Sequence, residues 1–290
     1  MRPTLILHGG AGPLSAHFRD ERERGLRHAF DAAWALLLQS GTAVDAVVRA
    51  VVEMENDSVF NAGVGSCLNQ DGKVEVDASL MDGTTFQAGA VGAVRTVRNP
   101  ILLARAVMEA GRHVFLVGEG AERFARELDF PVATPEELVT ERQLRYWQAA
   151  QTSDSSGSVG TVGAVALDRA GHLAAATSTG GIFNKYPGRI GDSAVIGAGA
   201  YADSTLGAGS ATGQGEAIIR STLTKNAVES LRDGRDPMQA AQTALALLQQ
   251  RTGNEAGLIL IDALGRIGYA YNTAAMNLAF LSGDTLVIRA

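Results

Sequence analysis

A chain of 290 residues with 46% hydrophobic and 19% charged residues has the length and balance to bury a large globular core, as one big domain or two small ones. The net charge is −6 and no Lys/Arg run occurs, which argues against nucleic acid as a partner because its phosphates require a positive footprint. Cys67 is the lone cysteine, so an intrachain disulfide and a Cys-based zinc site are excluded and a reducing compartment is the simplest match.

Met1 to Leu7 has one Arg and too short an apolar run for a signal peptide. No stretch approaches the length of a membrane span, so no membrane partner and a cytoplasmic location are expected. Leu5-Ile6-Leu7 reads as a strand that runs into a glycine loop, His8-Gly9-Gly10-Ala11-Gly12. From Arg19 to Gln39, Leu26, Phe30, Ala33, Trp34, Leu37 and Leu38 recur at three- and four-residue steps, which predicts an amphipathic helix closed by Gly41. Thr42 and Asp45 predict a capping-box start for a second helix through about Met54. Asp71-Gly72, followed by Val74, Val76, Ala78 and Leu80 alternating with polar residues, predicts a hairpin. A small buried strand follows from Ala88 to Arg95.

Asn99-Pro100 opens a helix to about Ala110, His113 to Val117 reads as a strand, and Ala121 to Leu128 as a short helix. Thr134-Pro135-Glu136-Glu137 predicts one helix running to about Ala150. Gln151 to Gly160 is polar and serine-rich, the composition of an exposed linker. Thr161–Leu167 and Leu173–Thr179 form a hairpin that begins where the linker ends. Helices are predicted from Glu216 to Leu231 and from Pro237 to Arg251, the latter capped by Asp236. A last hairpin joins Leu258–Asp262 to Ile267–Tyr271, with a final strand near Leu286. There is no internal repeat. Strands in two groups, each with paired helices, imply two sheets packed between helical layers. Glycine, 34 of 290 residues, stands well above its usual share of roughly 7%, so tight turns and close backbone approach to a ligand are expected.

The sharpest local feature is the polar decapeptide ending at Gly160-Thr161 with a strand directly after. A threonine hydroxyl is a poor nucleophile unless a base stands beside it. Cleavage after Gly160 would give Thr161 a free α-amine with a reference pKa of about 7.7–8.0, able to take the proton from its own hydroxyl. Gly160, without a Cβ, would let that hydroxyl reach the preceding carbonyl. By itself, Gly-Thr at a strand start is also ordinary.

Seven segments carry a wider likeness: His8-Gly9-Gly10-Ala11-Gly12, Phe60-Asn61-Ala62-Gly63, Asp77-Ala78-Ser79-Leu80-Met81-Asp82-Gly83, Gly160-Thr161-Val162-Gly163-Ala164-Val165-Ala166, Thr177-Ser178-Thr179-Gly180-Gly181, Arg189-Ile190-Gly191-Asp192 and Thr212-Gly213-Gln214-Gly215-Glu216. In this order the chain resembles, over nearly its whole length, the plant-type asparaginase and isoaspartyl-peptidase family of N-terminal nucleophile hydrolases. The resemblance implies an α+β, four-layer αββα sandwich. It also implies self-cleavage into residues 1–160 and 161–290, a dimer of such pairs, and hydrolysis of L-asparagine and β-aspartyl dipeptides without a catalytic cofactor.

The resemblance makes Thr161 the nucleophile, Thr179 its tuning neighbour, and Thr212 with Gly213 the oxyanion hole. A hydroxyl and a backbone N–H there can meet a developing negative oxygen; Thr212 could equally cap the next helix. Arg189 and Asp192 would clamp the α-carboxylate and α-ammonium of the substrate, with Ile190, Gly191, Gln214 and Gly215 around them; taken alone, such a pair is usually a solvated ion pair. Asn61 would order the site. The loop from Met54 to Val64 resembles one that holds a structural sodium ion through main-chain oxygens, here of Met54, Glu55, Asp57, Phe60, Ala62 and Val64. His8 and its glycines match a loop linked to self-cleavage in relatives.

Rival chemistries are poorer. The five histidines lack metal-ligand spacing, no nucleophile elbow occurs, and Gly197-Ala198-Gly199 lacks the third glycine of a dinucleotide fingerprint. Cys67 reads as a small buried residue rather than a nucleophile. Two alternatives stay open: glycosylated asparagine as the substrate, and a non-catalytic amino-acid-binding protein.

Overall fold

A computed structural model describes residues 1–12, 16–150 and 160–290. Gly160 is therefore described, whereas the rest of the predicted linker, residues 151–159, lies outside the described residues. In chain order the elements are β1 (Thr4–Gly12), α1 (Arg19–Leu38), α2 (Ala43–Asn56), β2 (Val76–Asp82), β3 (Ala88–Val94), α3 (Pro100–Ala110), β4 (Phe115–Val117), α4 (Gly118–Glu127), α5 (Pro135–Leu138) and α6 (Glu141–Ala150). The second half holds β5 (Val162–Leu167), β6 (Leu173–Thr179), β7 (Ala200–Asp203), β8 (Gly207–Gly213), α7 (Gly215–Ser221), α8 (Leu223–Glu229), α9 (Pro237–Thr252), β9 (Ala256–Asp262), β10 (Ile267–Tyr271), β11 (Ala275–Ser282) and β12 (Thr285–Arg289).

An eight-stranded sheet runs β12-β11-β1-β5-β6-β2-β3-β4 and a four-stranded sheet runs β10-β9-β8-β7. The two sheets pack face to face, through β8 on β5 and β6, and β9 on β1. Helices α1 to α4 cover the outer face of the larger sheet, and α8 and α9 that of the smaller one. The result is the expected αββα sandwich. Strand alternation builds both cores at once. In β5, Val162, Ala164 and Ala166 face the helices, while Val165 and Leu167 face the second sheet. Burial on both faces explains why these strands read as continuous apolar runs.

The sheet order interleaves the two halves of the chain. β1 lies between β11 and β5, and β2 pairs with β6. A cut at Gly160 would thus leave both pieces in one sheet.

Several boundaries differ from the sequence reading. The glycines after Leu7 belong to β1 rather than to a loop. The hairpin partner of β2 is β3; Asp71-Gly72 turns only between the single bridge residues Leu68 and Val74. The helix expected from 134 to 150 is two helices because Thr140 starts a new one, its Oγ1 accepting from Gln143 N at 3.2 Å. The helix expected from 216 to 231 breaks at Thr222, φ +43°. There the first N–H groups of α8 turn to the loop before β7, Lys225 N donating to Gly197 O at 2.9 Å. Strands β7, β8 and β11 were not expected. Asp236 caps α9 as expected, through Met238 N and Gln239 N. Asn99, by contrast, makes no side-chain cap at α3; Glu55 reaches over and accepts from Ile101 N at 3.1 Å.

Candidate active site

Thr161 stands one residue before β5, and the β5–β6 ladder ends at Val162 opposite Ser178. One further step brings Thr161 opposite Thr179. The Thr161 hydroxyl donates to Thr179 Oγ1 at 3.2 Å, and Thr179 Oγ1 also accepts from Gly181 N at 3.0 Å. Both threonines are buried. Behind them, Asn61 donates from Nδ2 to Gly181 O at 2.7 Å and accepts at Oδ1 from Cys67 N at 2.8 Å. Its carbonyl accepts from Gly180 N at 3.0 Å. Asn61 thus ties the turn after Thr179, at Gly180 and Gly181, to its own loop at Cys67.

From the other side, β1 lies against the junction. His8 Nδ1 donates to Thr161 O at 3.1 Å. Burial pushes the His8 pKa down to about 3, against the opposing pull of that carbonyl, so the ring is neutral. A Cβ on Gly10, whose φ is +103°, would lie 2.8 Å from Gly160 Cα and 3.6 Å from Thr161 N. The β1 glycines therefore let the backbone approach the Gly160–Thr161 peptide.

Thr212 and Gly213 close β8, and Gly213 has φ +134°. The Thr212 hydroxyl is fully buried and has no hydrogen-bond partner among the described residues, an exception that calls for a ligand or another polar group. Thr212 does not cap α7. The N-cap is Gln214, with no side-chain cap, and its own side chain is exposed.

Arg189 and Asp192 come together around Gly215. A Cβ there would meet Arg189 Nη2 at 2.7 Å and Asp192 Oδ1 at 2.9 Å. Arg189 donates from Nε and Nη2 to the Glu216 carboxylate at 2.9 and 2.8 Å. Its Nη1 edge faces Gly181 and Gly191, whose missing Cβ atoms leave it room. Asp192 is buried, its Oδ2 has no partner among the described residues, and burial pushes its pKa up to about 7 against the pull of Arg189. A fork with a free edge beside an unsatisfied carboxyl suits a zwitterionic amino acid. Ile190 packs on Gly92 of β3 and anchors this loop.

Residues to which the sequence reading assigned no role complete the frame. Asp77 accepts from Gly191 N at 3.0 Å and from Ala93 N at 2.9 Å, tying the Arg189–Asp192 loop to β3. Lys185, 2% exposed, donates to Glu75 O at 2.8 Å, and burial lowers its pKa. Asp77 and Glu216 lay within recognised motifs; nothing in the sequence marks Lys185, whose partner Glu75 is distant along the chain. Burial pushes the Cys67 thiol up to about 12, which disfavours a thiolate nucleophile.

In the loop expected to hold sodium, the main-chain oxygens of Met54, Glu55 and Asp57 accept from Asp57 N, Val64 N and Phe60 N. A Cβ on Gly65 would lie 2.5 Å from Ser58 O and 2.7 Å from Phe60 O, so only glycine lets the backbone pass this close to these oxygens. Hard, neutral oxygens of this kind fit a sodium ion. Ser58 O also accepts from Arg142, and Ser58 was not in the expected ligand set.

The fold defines a class, the four-layer αββα sandwich known as the N-terminal nucleophile hydrolase fold. A family described as asparaginase matches residues 1–288, and the chain belongs to it. A protein of Mus musculus named isoaspartyl peptidase/L-asparaginase is 44% identical over 290 residues, covering 98% of this chain and 89% of that one. One of Danio rerio with the same name is 42% identical over 285 residues, covering 96% and 92%. A plant-type L-asparaginase of Pyrococcus horikoshii is 41% identical over 298 residues, covering 96% of each. Among the described residues, no helix is long and apolar enough to cross a membrane.

Proposed function

We propose that this chain hydrolyses L-asparagine and isoaspartyl dipeptides, with Thr161 as nucleophile after cleavage between Gly160 and Thr161. The observation that carries the reading is the Thr161–Thr179 hydroxyl pair at a strand start whose preceding peptide is packed by Gly10. In the self-cleavage, the Thr161 hydroxyl oxygen attacks the Gly160 carbonyl carbon, the hydroxyl proton passes to the Thr161 nitrogen, and the C–N bond breaks. Water then hydrolyses the ester, leaving a Gly160 carboxylate and a free Thr161 amine.

In turnover that amine takes the hydroxyl proton as Oγ attacks the side-chain carbonyl carbon of asparagine. Thr212 and the Gly213 N–H stabilise the oxyanion. Ammonia, or the amino acid of an isoaspartyl dipeptide, leaves with the proton from the ammonium. Water releases aspartate from the acyl-enzyme, its proton passing to the same amine and from there to the departing Thr161 Oγ. Arg189 holds the α-carboxylate by its free edge and Asp192 the α-ammonium; Asn61, Ile190, Gly191, Gln214 and Gly215 shape the surround.

Residues 1–160 and 161–290 are then two subunits of one sandwich, and two such pairs associate as a dimer. The lone buried Cys67 suits the cytoplasm. A sodium ion in the 54–64 loop would only stiffen that loop, and exchange of sodium for choline should lower thermal stability while the purified enzyme keeps its chemistry. The test of the activity is release of ammonia and aspartate from L-asparagine and of aspartate from a β-aspartyl dipeptide, by the wild type and by Thr161→Ala. Turnover by the wild type and none by Thr161→Ala is expected; equal turnover by both would rule out this nucleophile.

A further inference from the structure

We propose that Ser210 is a positioning residue for Thr161 and acts through the ring of His8, an inference that rests on the reading of Thr161 as nucleophile. The β1–β5 ladder runs from Thr4 opposite Leu167 to His8 opposite Gly163. Thr161 therefore stands beyond its last paired position, and in the cleaved chain it is a terminus. Frayed ends are mobile unless something ties them down. The hydrogen bond that β1 makes to Thr161 comes from a side chain, His8, with Nδ1 3.1 Å from Thr161 O.

A carbonyl oxygen only accepts, so Nδ1 carries the hydrogen and Nε2 is bare. Ser210 Oγ lies 2.8 Å from Nε2 and is the donor to it; its other neighbour, Ala176 O, is farther at 3.4 Å. His8 and Ser210 are both fully buried. Gly163 lies beneath the pair, where any Cβ would collide with both Ser210 Oγ and His8 Nε2. Ser210 sits on β8 of the smaller sheet and His8 on β1 of the larger one. The hydrogen-bonded chain thus crosses the sandwich and fixes the tautomer and rotation of the ring. Without Ser210 the neutral ring can exchange its proton or turn, and a bare nitrogen facing a carbonyl repels it. Thr161 would then lose the hold that aims its hydroxyl at Thr179 and its amine at that hydroxyl.

The test uses Ser210→Ala, His8→Asn and the double variant in the full-length chain, with turnover of L-asparagine counted per cleaved chain by denaturing mass spectrometry. Ser210→Ala should lower kcat by about tenfold and leave KM within about twofold, because a small misplacement of a reacting group is costly while the Arg189–Asp192 clamp is untouched. Asn at position 8 keeps a donor near the place of Nδ1 and lacks an Nε2. In that background Ser210→Ala should change kcat by less than about twofold, since contacting residues act as one unit. A lower Tm with unchanged kcat, or the same kcat loss in both backgrounds, would overturn the proposal. If Ser210→Ala fails to fold, nitrogen-15 spectra of wild-type His8 decide: an Nδ1–H tautomer is expected, and an Nε2–H tautomer overturns it. An active Thr161→Ala would remove the underlying reading itself. An inert Thr161→Ala beside a fully active Ser210→Ala would remove only the role of Ser210.

Discussion

Thr161 and Thr179 face each other one step past the last pair of the β5–β6 ladder, their hydroxyls 3.2 Å apart. Because Thr179 Oγ1 is already held by Gly181 N, it is a fixed partner rather than a free rotor. When the Thr161 hydroxyl loses its proton, that partner can donate to the resulting negative oxygen. Hydrogen bonds to charged groups contribute about 1.5–3 kcal/mol, so Thr179→Val should cut kcat roughly ten- to a hundredfold. Thr179→Ser should keep most of it. Steady-state kinetics on cleaved protein check both.

Arg189 is shared between Glu216 and the expected substrate. Its Nε edge is taken, so the α-carboxylate must use Nη1. Arg189→Ala should raise KM about a hundredfold and leave cleavage at Gly160 intact, since a buried charged hydrogen bond contributes about 3 kcal/mol at most. The Glu216 carboxylate, 57% exposed, is screened by solvent. Glu216→Gln should therefore raise KM by no more than about fivefold. Loss of processing with normal KM in Arg189→Ala would contradict this division.

The Asp192 carboxyl is raised from 3.8 to about 7, mainly by burial. Between those values the folded chain binds a proton that the unfolded chain does not. Its contribution to stability is thus complete below 3.8 and lost as pH rises through about 7. Asp192→Asn, a neutral isostere, should raise Tm at pH 8 and not at pH 4. An α-ammonium ligand favours the ionised form. Calorimetry in buffers of different protonation enthalpy should therefore show L-aspartate releasing about one proton at pH 6, and none with Asp192→Asn.

Gly10→Ala tests the approach of β1 to the junction. The positive φ disfavours alanine, and its Cβ would press on Gly160 Cα. Uncleaved chain should accumulate on a denaturing gel, while Gly111→Ala, also at positive φ but with open space around it, should process normally.

The sequence revealed elements with a strong periodic or capping signal. α1 shows its apolar stripe, β5 and β6 their two-sided apolar runs, and α9 its Asp236 cap. β8 stayed hidden because Gly-Ala-Gly-Ser-Ala-Thr-Gly has no apolar alternation; small side chains are what the close approach of the two sheets permits there. The break at Thr140 is a local cap of the next helix by its own hydroxyl, and the break at Thr222 comes with hydrogen bonds to the loop before β7, which override the local helix pattern. Within the site, Thr161, Thr179, Asn61, Arg189 and Asp192 were legible as motif residues, and the fold brings them into two linked groups. The bond of His8 to Ser210 spans 202 positions, and no local pattern encodes such a pairing.

The claim on which the rest depends is that Thr161 becomes a chain terminus and that its own amine serves as base. Denaturing mass spectrometry of the purified wild type, timed alongside the appearance of activity, tests it most directly. The account predicts two masses that divide the chain between Gly160 and Thr161, rising in step with turnover, and a single intact mass for Thr161→Ala. Full turnover by a chain that stays intact would contradict it.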